Sequence, residues 1–158
     1  MAEAIGTAGV VRGNLVARLW RPAEAVLDWL QAPALLGARL YVSSVFFNSG
    51  LQSLRSWDAT LWLYRNEFHV APMPPYLAAV AGTAGELLLP PLVALGLFGR
   101  FGALGLFVVN LVALLSYMYA LQVPAIMFHF IWGGLLLMIA LWGPGRWSID
   151  ALRAARRG

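Results

Sequence analysis

The chain has no cysteine and little charge: only 11% of its 158 residues are Asp, Glu, Lys or Arg, under half of the ~25% usual in a soluble domain. Without cysteine there is no disulfide staple, no thiolate metal site and no dithiol redox chemistry, so any redox role needs a bound cofactor or a partner. So low a charge content excludes a soluble globular domain, a disordered chain, a coiled coil and a collagen-like chain. What is present is apolar: 61% hydrophobic residues and a mean hydropathy of +0.74. The composition predicts an all-α membrane protein small enough to be one domain. All eleven basic residues are arginine and the net charge is +4. In an apolar chain this excess reads as a topology signal, not as affinity for nucleic acid.

Four stretches reach the roughly 20 apolar residues that a membrane-crossing helix needs. They run over about 34–54, 75–98, 101–121 and 124–142. Pro33, Pro75 and Pro124 stand at their entries, where a missing N–H costs nothing, and Gly143-Pro144-Gly145 ends the last. The short links Gly99-Arg100 and Gln122-Val123 force spans two, three and four into an up-and-down array. The expected fold is a four-transmembrane-helix bundle.

Arginine placement orients it. Arg12, Arg18, Arg21, Arg100, Arg146, Arg153, Arg156 and Arg157 fall on one side, Arg55 and Arg65 on the other. The excess puts both termini in the cytoplasm and the loop 55–74 outside. The chain then divides into a cytoplasmic segment 1–33, a membrane domain 34–143 and a basic cytoplasmic tail 144–158, attractive to anionic lipids. No cleavable signal is expected before the first span, since residues 1–11 have no basic residue ahead of their short apolar run. Arg21, Glu24, Asp28 and Gln31 make one polar stripe beside Leu27, Trp29 and Leu30, the pattern of an amphipathic helix lying on the membrane. Trp57, Trp62, Tyr64 and Tyr76 suit an interfacial aromatic belt.

An ionisable group inside a span is costly unless paired, and so marks function. Arg39, Glu86 and His129 are such groups, and Asn48 and Asn110 add uncharged polarity. At 1.5 Å per residue, Glu86 falls near the midplane, with Arg39 and Asn110 close to its level. The depths predict a central cluster of Arg39, Glu86 and Asn110, and a second group of His129 and Asn48 nearer the outside. Two alternatives stay open: Arg39 extends to lipid phosphates, and His129 is a hydrogen-bonded packing residue. Pro90 and Pro91 cannot donate to the carbonyls of Glu86 and Leu87, so a kink is expected there. Ala78, Ala81, Gly82 and Gly85 allow close helix approach. Glu67 and His69 do not amount to a metal site. No phosphate loop or nucleophile constellation is present.

Several stretches together resemble the DoxX family of small four-helix membrane proteins. They are Arg39-Leu-Tyr-Val-Ser-Ser-Val-Phe-Phe-Asn-Ser-Gly-Leu-Gln, Trp57-Asp58, Val70-Ala-Pro-Met-Pro-Pro, Thr83-Ala-Gly-Glu-Leu, Gly96-Leu-Phe-Gly-Arg, His129-Phe-Ile-Trp-Gly and Gly143-Pro-Gly-Arg-Trp-Ser-Ile-Asp150. The resemblance covers about 35–152 and is nearest the branch found beside peptide-modifying iron oxygenases in bacterial metal-stress clusters. It implies a multi-pass protein of the bacterial inner membrane. Some such relatives are linked with quinone-reducing sulfur oxidation or membrane oxidoreductase complexes. The family's recurrent intramembrane polar positions fall on Arg39, Glu86 and His129. Where the family often has lysine, this chain has Ser53.

The expected role is a membrane subunit of a redox or metal-stress system, with a polar intramembrane pocket for a quinone-like or other small ligand. Glu86 and His129 would exchange protons, and Arg39, Asn48 and Asn110 would bind the ligand. No covalent cofactor and no metal is expected; the bilayer, a membrane or periplasmic redox or metal-handling protein and a second copy of the chain are the partners considered. Whether the chain is itself an enzyme stays open. The competing readings are a proton-coupled small-solute exporter and a non-catalytic anchor for a partner.

Overall fold

In the computed structural model, which describes residues 20–68, 70 and 72–157, every element is a helix. The elements are α1 (Ala2–Arg55), α2 (Trp57–Asn66), α3 (Pro75–Leu95), α4 (Gly99–Tyr117), α5 (Val123–Trp142) and α6 (Ile149–Ala155). Arg12, Arg18 and His69 lie outside the described residues. Four helical stretches have the length and apolarity to cross a membrane: Trp20–Arg55, Pro75–Leu95, Gly99–Tyr117 and Val123–Trp142.

The chain divides into two units, Met1–Ala34 and Leu35–Gly158. In the first, both the stripe of Arg21, Glu24, Asp28 and Gln31 and the apolar Leu27, Trp29 and Leu30 are exposed. Pro33 does not open a helix here: it lies inside α1, as does Pro22.

In the second unit the distribution of polarity is that of a bilayer protein. Large apolar side chains face outward, Leu88 at 69% and Phe130 at 67% exposure, while Arg39 is 1% exposed. Lipid tails are as apolar as leucine, so such an exterior costs nothing in a membrane. The core is small: Val42 and Phe46 of α1, Val93 of α3, Ala103 and Leu106 of α4, and Leu136 and Ile139 of α5. Helix α4 packs against both α3 and α5, and α2 packs against α3.

The turns differ from the sequence reading. Helix α3 stops at Leu95 because Gly96 takes a left-handed conformation, φ 64°, one that L side chains resist. The Leu97 N–H then bonds back to the Leu92 carbonyl at 2.9 Å, satisfying an orphaned helix end. Helix α4 starts at Gly99 instead of 101 and ends at Tyr117 instead of 121. Within 55–74, α2 is a helix, separated from α1 by a break at Ser56. The Thr60 hydroxyl braces that corner by donating to the Ser53 and Ser56 carbonyls, at 3.0 and 3.1 Å. The segment after Gly143 forms α6 and packs back on the bundle through Asp150.

Candidate functional site

Among the described residues, the expected central cluster of Arg39, Glu86 and Asn110 does not form. Arg39 donates to four backbone carbonyls: Nε to Val93 at 2.9 Å, Nη2 to Ala94 at 2.6 Å, and Nη1 to Pro144 at 2.6 Å and Trp147 at 2.9 Å. A guanidinium offers five N–H groups in a rigid fork, and here they join the last turn of α3 to the segment after α5. Arg39 therefore neither pairs with Glu86 nor reaches out to lipid. The same region holds Asp150, whose two carboxylate oxygens accept from the N–H groups of Phe98 (3.1 Å) and Gly99 (2.9 Å). This caps α4, where an anion also opposes the helix dipole. Ser148 caps α6 by accepting from the Ala151 N–H at 3.1 Å.

Asn110 belongs with His129, not with Glu86. Its Nδ2 donates to the His129 carbonyl at 3.0 Å, and its Oδ1 lies 2.8 Å from His129 Nδ1. The first bond orients the amide, so Oδ1 faces the ring and Nδ1 must carry the hydrogen. Nε2 is left with its lone pair and makes no bond to a described residue. Asn48 joins neither group: it is exposed, and its Nδ2 donates to the Ser44 carbonyl one turn back at 2.8 Å.

Glu86 is the candidate site. Its Oε1 accepts from the Ser49 hydroxyl of α1 at 3.0 Å. The side chain lines a cavity of about 240 Å³ between α2, α3 and α4, whose walls include Tyr64, Phe68, Gly82, Val109 and Val112. Gly82 leaves room for this ring: a Cβ at that position would meet the Tyr64 hydroxyl, and the side chain would have to shift. Burial, then the neighbouring Glu86 carboxylate, pushes the Tyr64 phenol up to about 12, so it stays a hydrogen-bond donor. Tyr64 stacks on Phe68, and Phe68 on Tyr117, with centroids 4.7 and 5.0 Å apart. Beyond them, the Tyr119 hydroxyl donates to the Glu67 backbone and carboxylate oxygens at 2.7 and 3.0 Å.

Sequence reasoning found Glu86 but missed Ser49 and Tyr64 as its neighbours. Tyr64 had been given only to the interfacial belt, although Trp57, Thr60, Leu61 and Tyr64 recur at helical spacing. Among the described residues, no three His, Asp or Glu side chains converge as a metal site would require.

An apolar exterior, a few buried polar groups such as Arg39 and Asn110, and four bilayer-length helices define a multi-pass membrane protein built as a helical bundle. The sequence profile of the DoxX family matches residues 34–129, well over half of the chain, and the protein belongs to that family. No curated protein and no solved structure matches it.

Proposed function

We propose that this protein is a membrane subunit of a redox or metal-stress system that binds a quinone-like or other small ligand in the Glu86 cavity. The observation that carries the reading is one carboxylate and one phenol set in otherwise apolar walls. Such walls suit a planar apolar ring, and the few polar groups fix its orientation. About 240 Å³ is several times the ~30 Å³ share of a water molecule, large enough for a ring headgroup whose tail lies in the bilayer. Tyr64 would donate to a ring oxygen. Glu86 would pass protons one at a time while a partner protein supplies the electrons. His129 would be a second proton-exchanging group through Nε2. The protein would lie in the inner membrane with both termini cytoplasmic.

The experiment is quinone retention. The full chain, taken from native membrane into lipid nanodiscs, should carry quinone at a stoichiometric level. Ala113→Phe, which fills the cavity from α4, should remove it. Equal retention in that variant, or none in the wild type, would overturn the reading. Restoration of the cellular phenotype should fail in Glu86→Gln although the variant inserts normally.

A further inference from the structure

The two ends of the second unit differ in charge. Around α2, Arg55 and Arg65 are matched by Asp58 and Glu67. The other end, where α3 stops, α4 starts and α5 runs out toward α6, carries Arg100, Arg146, Arg153, Arg156 and Arg157, all exposed. The carboxylate side chain at that end among the described residues of the unit is Asp150, and both its oxygens already accept from the Phe98 and Gly99 N–H groups. None of these five guanidiniums makes an ion pair with a described residue. The fold also gathers arginines that lie far apart in the chain. A Cβ at Gly143 would stand 3.4 Å from Arg100 Nε, so the Arg100 guanidinium lies against the exit of α5. The Arg153 Cζ is 5.9 Å from the centre of the Phe98 ring, and the Asp150 N–H donates to the Gly96 carbonyl at 3.0 Å. Arg100 and Arg153 thus border the turn 96–99, and Arg146 stands in the link that runs from Gly143 to Asp150.

The helix ends set the depth. Leu95, Gly99 and Trp142 are the ends of three bilayer-length helices, so the turn 96–99 and the link after Gly143 stand at the level of the lipid headgroups. Phe101, Trp142 and Trp147 are exposed beside the arginines, the mixture of rings and cations found at a membrane–water boundary. From Phe101 the outer face of α4 continues into the bilayer through exposed Leu104 and Val108. Cations without partners at the phosphate level are complementary to negatively charged headgroups. We infer that this end of the bundle is a binding surface for anionic phospholipid. Phosphate groups lie against Arg100, Arg146 and Arg153, and an acyl chain runs from Phe101 down past Leu104. An acidic soluble protein is the poorer fit, because to reach Arg100 it would have to enter the headgroup layer in which Phe101 and Trp142 sit.

The test titrates the full chain in detergent micelles with dioleoylphosphatidylglycerol and, in parallel, dioleoylphosphatidylcholine, and counts bound lipid by native mass spectrometry. The two lipids share their acyl chains and differ in net charge. Phosphatidylglycerol should bind about tenfold more tightly or better. Arg100→Gln, Arg146→Gln and Arg153→Gln should each weaken it about fivefold, the worth of one arginine near an anionic surface. Phosphatidylcholine binding should stay constant in these variants, which checks that they fold. Arg55→Gln, at the other end, should change neither lipid. Ala113→Phe should leave the preference intact, so failure of the Glu86 reading does not touch this one. Equal affinity for the two lipids, a preference that survives the triple variant, or an equal loss in Arg55→Gln would overturn the inference. So would displacement of phosphatidylglycerol by millimolar glycerol phosphate, the mark of a soluble phosphate ligand, or by polyglutamate, the mark of an acidic protein.

Discussion

Asn110 and His129 hold each other by two hydrogen bonds, side chain to side chain and side chain to backbone, across α4 and α5. The amide thereby fixes which imidazole nitrogen carries the proton. Nitrogen-15 spectroscopy of histidine-labelled protein should show His129 with a protonated Nδ1 and a bare Nε2 while the ring is neutral. Asn110→Leu should destabilise the bundle by about 1–3 kcal/mol, the cost of stranding buried polar partners, and should leave the tautomer mixed. Unfolding in mixed micelles measures the first effect.

Arg39→Lys should behave as a severe substitution. A lysine has three donors at one point and cannot serve four carbonyls spread over α3 and the segment after α5. A loss of about 3 kcal/mol or more is expected from charge-assisted bonds of about 1.5–3 kcal/mol each. Tryptic cleavage after Arg146 should quicken, because the Pro144 and Trp147 carbonyls are then released.

Asp150→Ala should cost about 0.5–2 kcal/mol, the usual worth of a helix cap, and Asp150→Asn less. Hydrogen exchange at the Phe98 and Gly99 amides, which Asp150 accepts from, should rise in both, more in the alanine variant.

Tyr64 gives the pH dependence. Its phenol ionises at about 12 instead of 10.0, so the folded state holds that proton more firmly than the unfolded state does. The resulting stabilisation is fully present below pH 10 and is lost as pH rises toward 12. Absorbance titration of the wild type minus Tyr64→Phe should show the shift. Glu86→Gln should bring it part of the way back, since burial is the larger cause.

The spans and the ionisable residues within them were legible because bilayer energetics acts on each segment alone. The partners were not. Arg39 and Glu86 were matched by depth, but depth along a helix says nothing of direction around it. The guanidinium found carbonyls at Pro144 and Trp147, over a hundred residues on, in a stretch whose arginines suggested a basic tail attractive to anionic lipids. Asn110 was assigned to the level of Glu86, yet the nearer face was that of α5. Helix α2 escaped notice because its aromatic residues also fit an interface loop.

The reach of Arg39 beyond Trp142 has a practical sequel. A shortened gene ending where the fourth crossing does would still encode every apolar segment, and its product would thread into the bilayer. It would also strip the Arg39 guanidinium of two of its four carbonyl partners and leave α4 uncapped. Membrane proteases should clear that product quickly, so expression trials and fusion tags belong after Arg157.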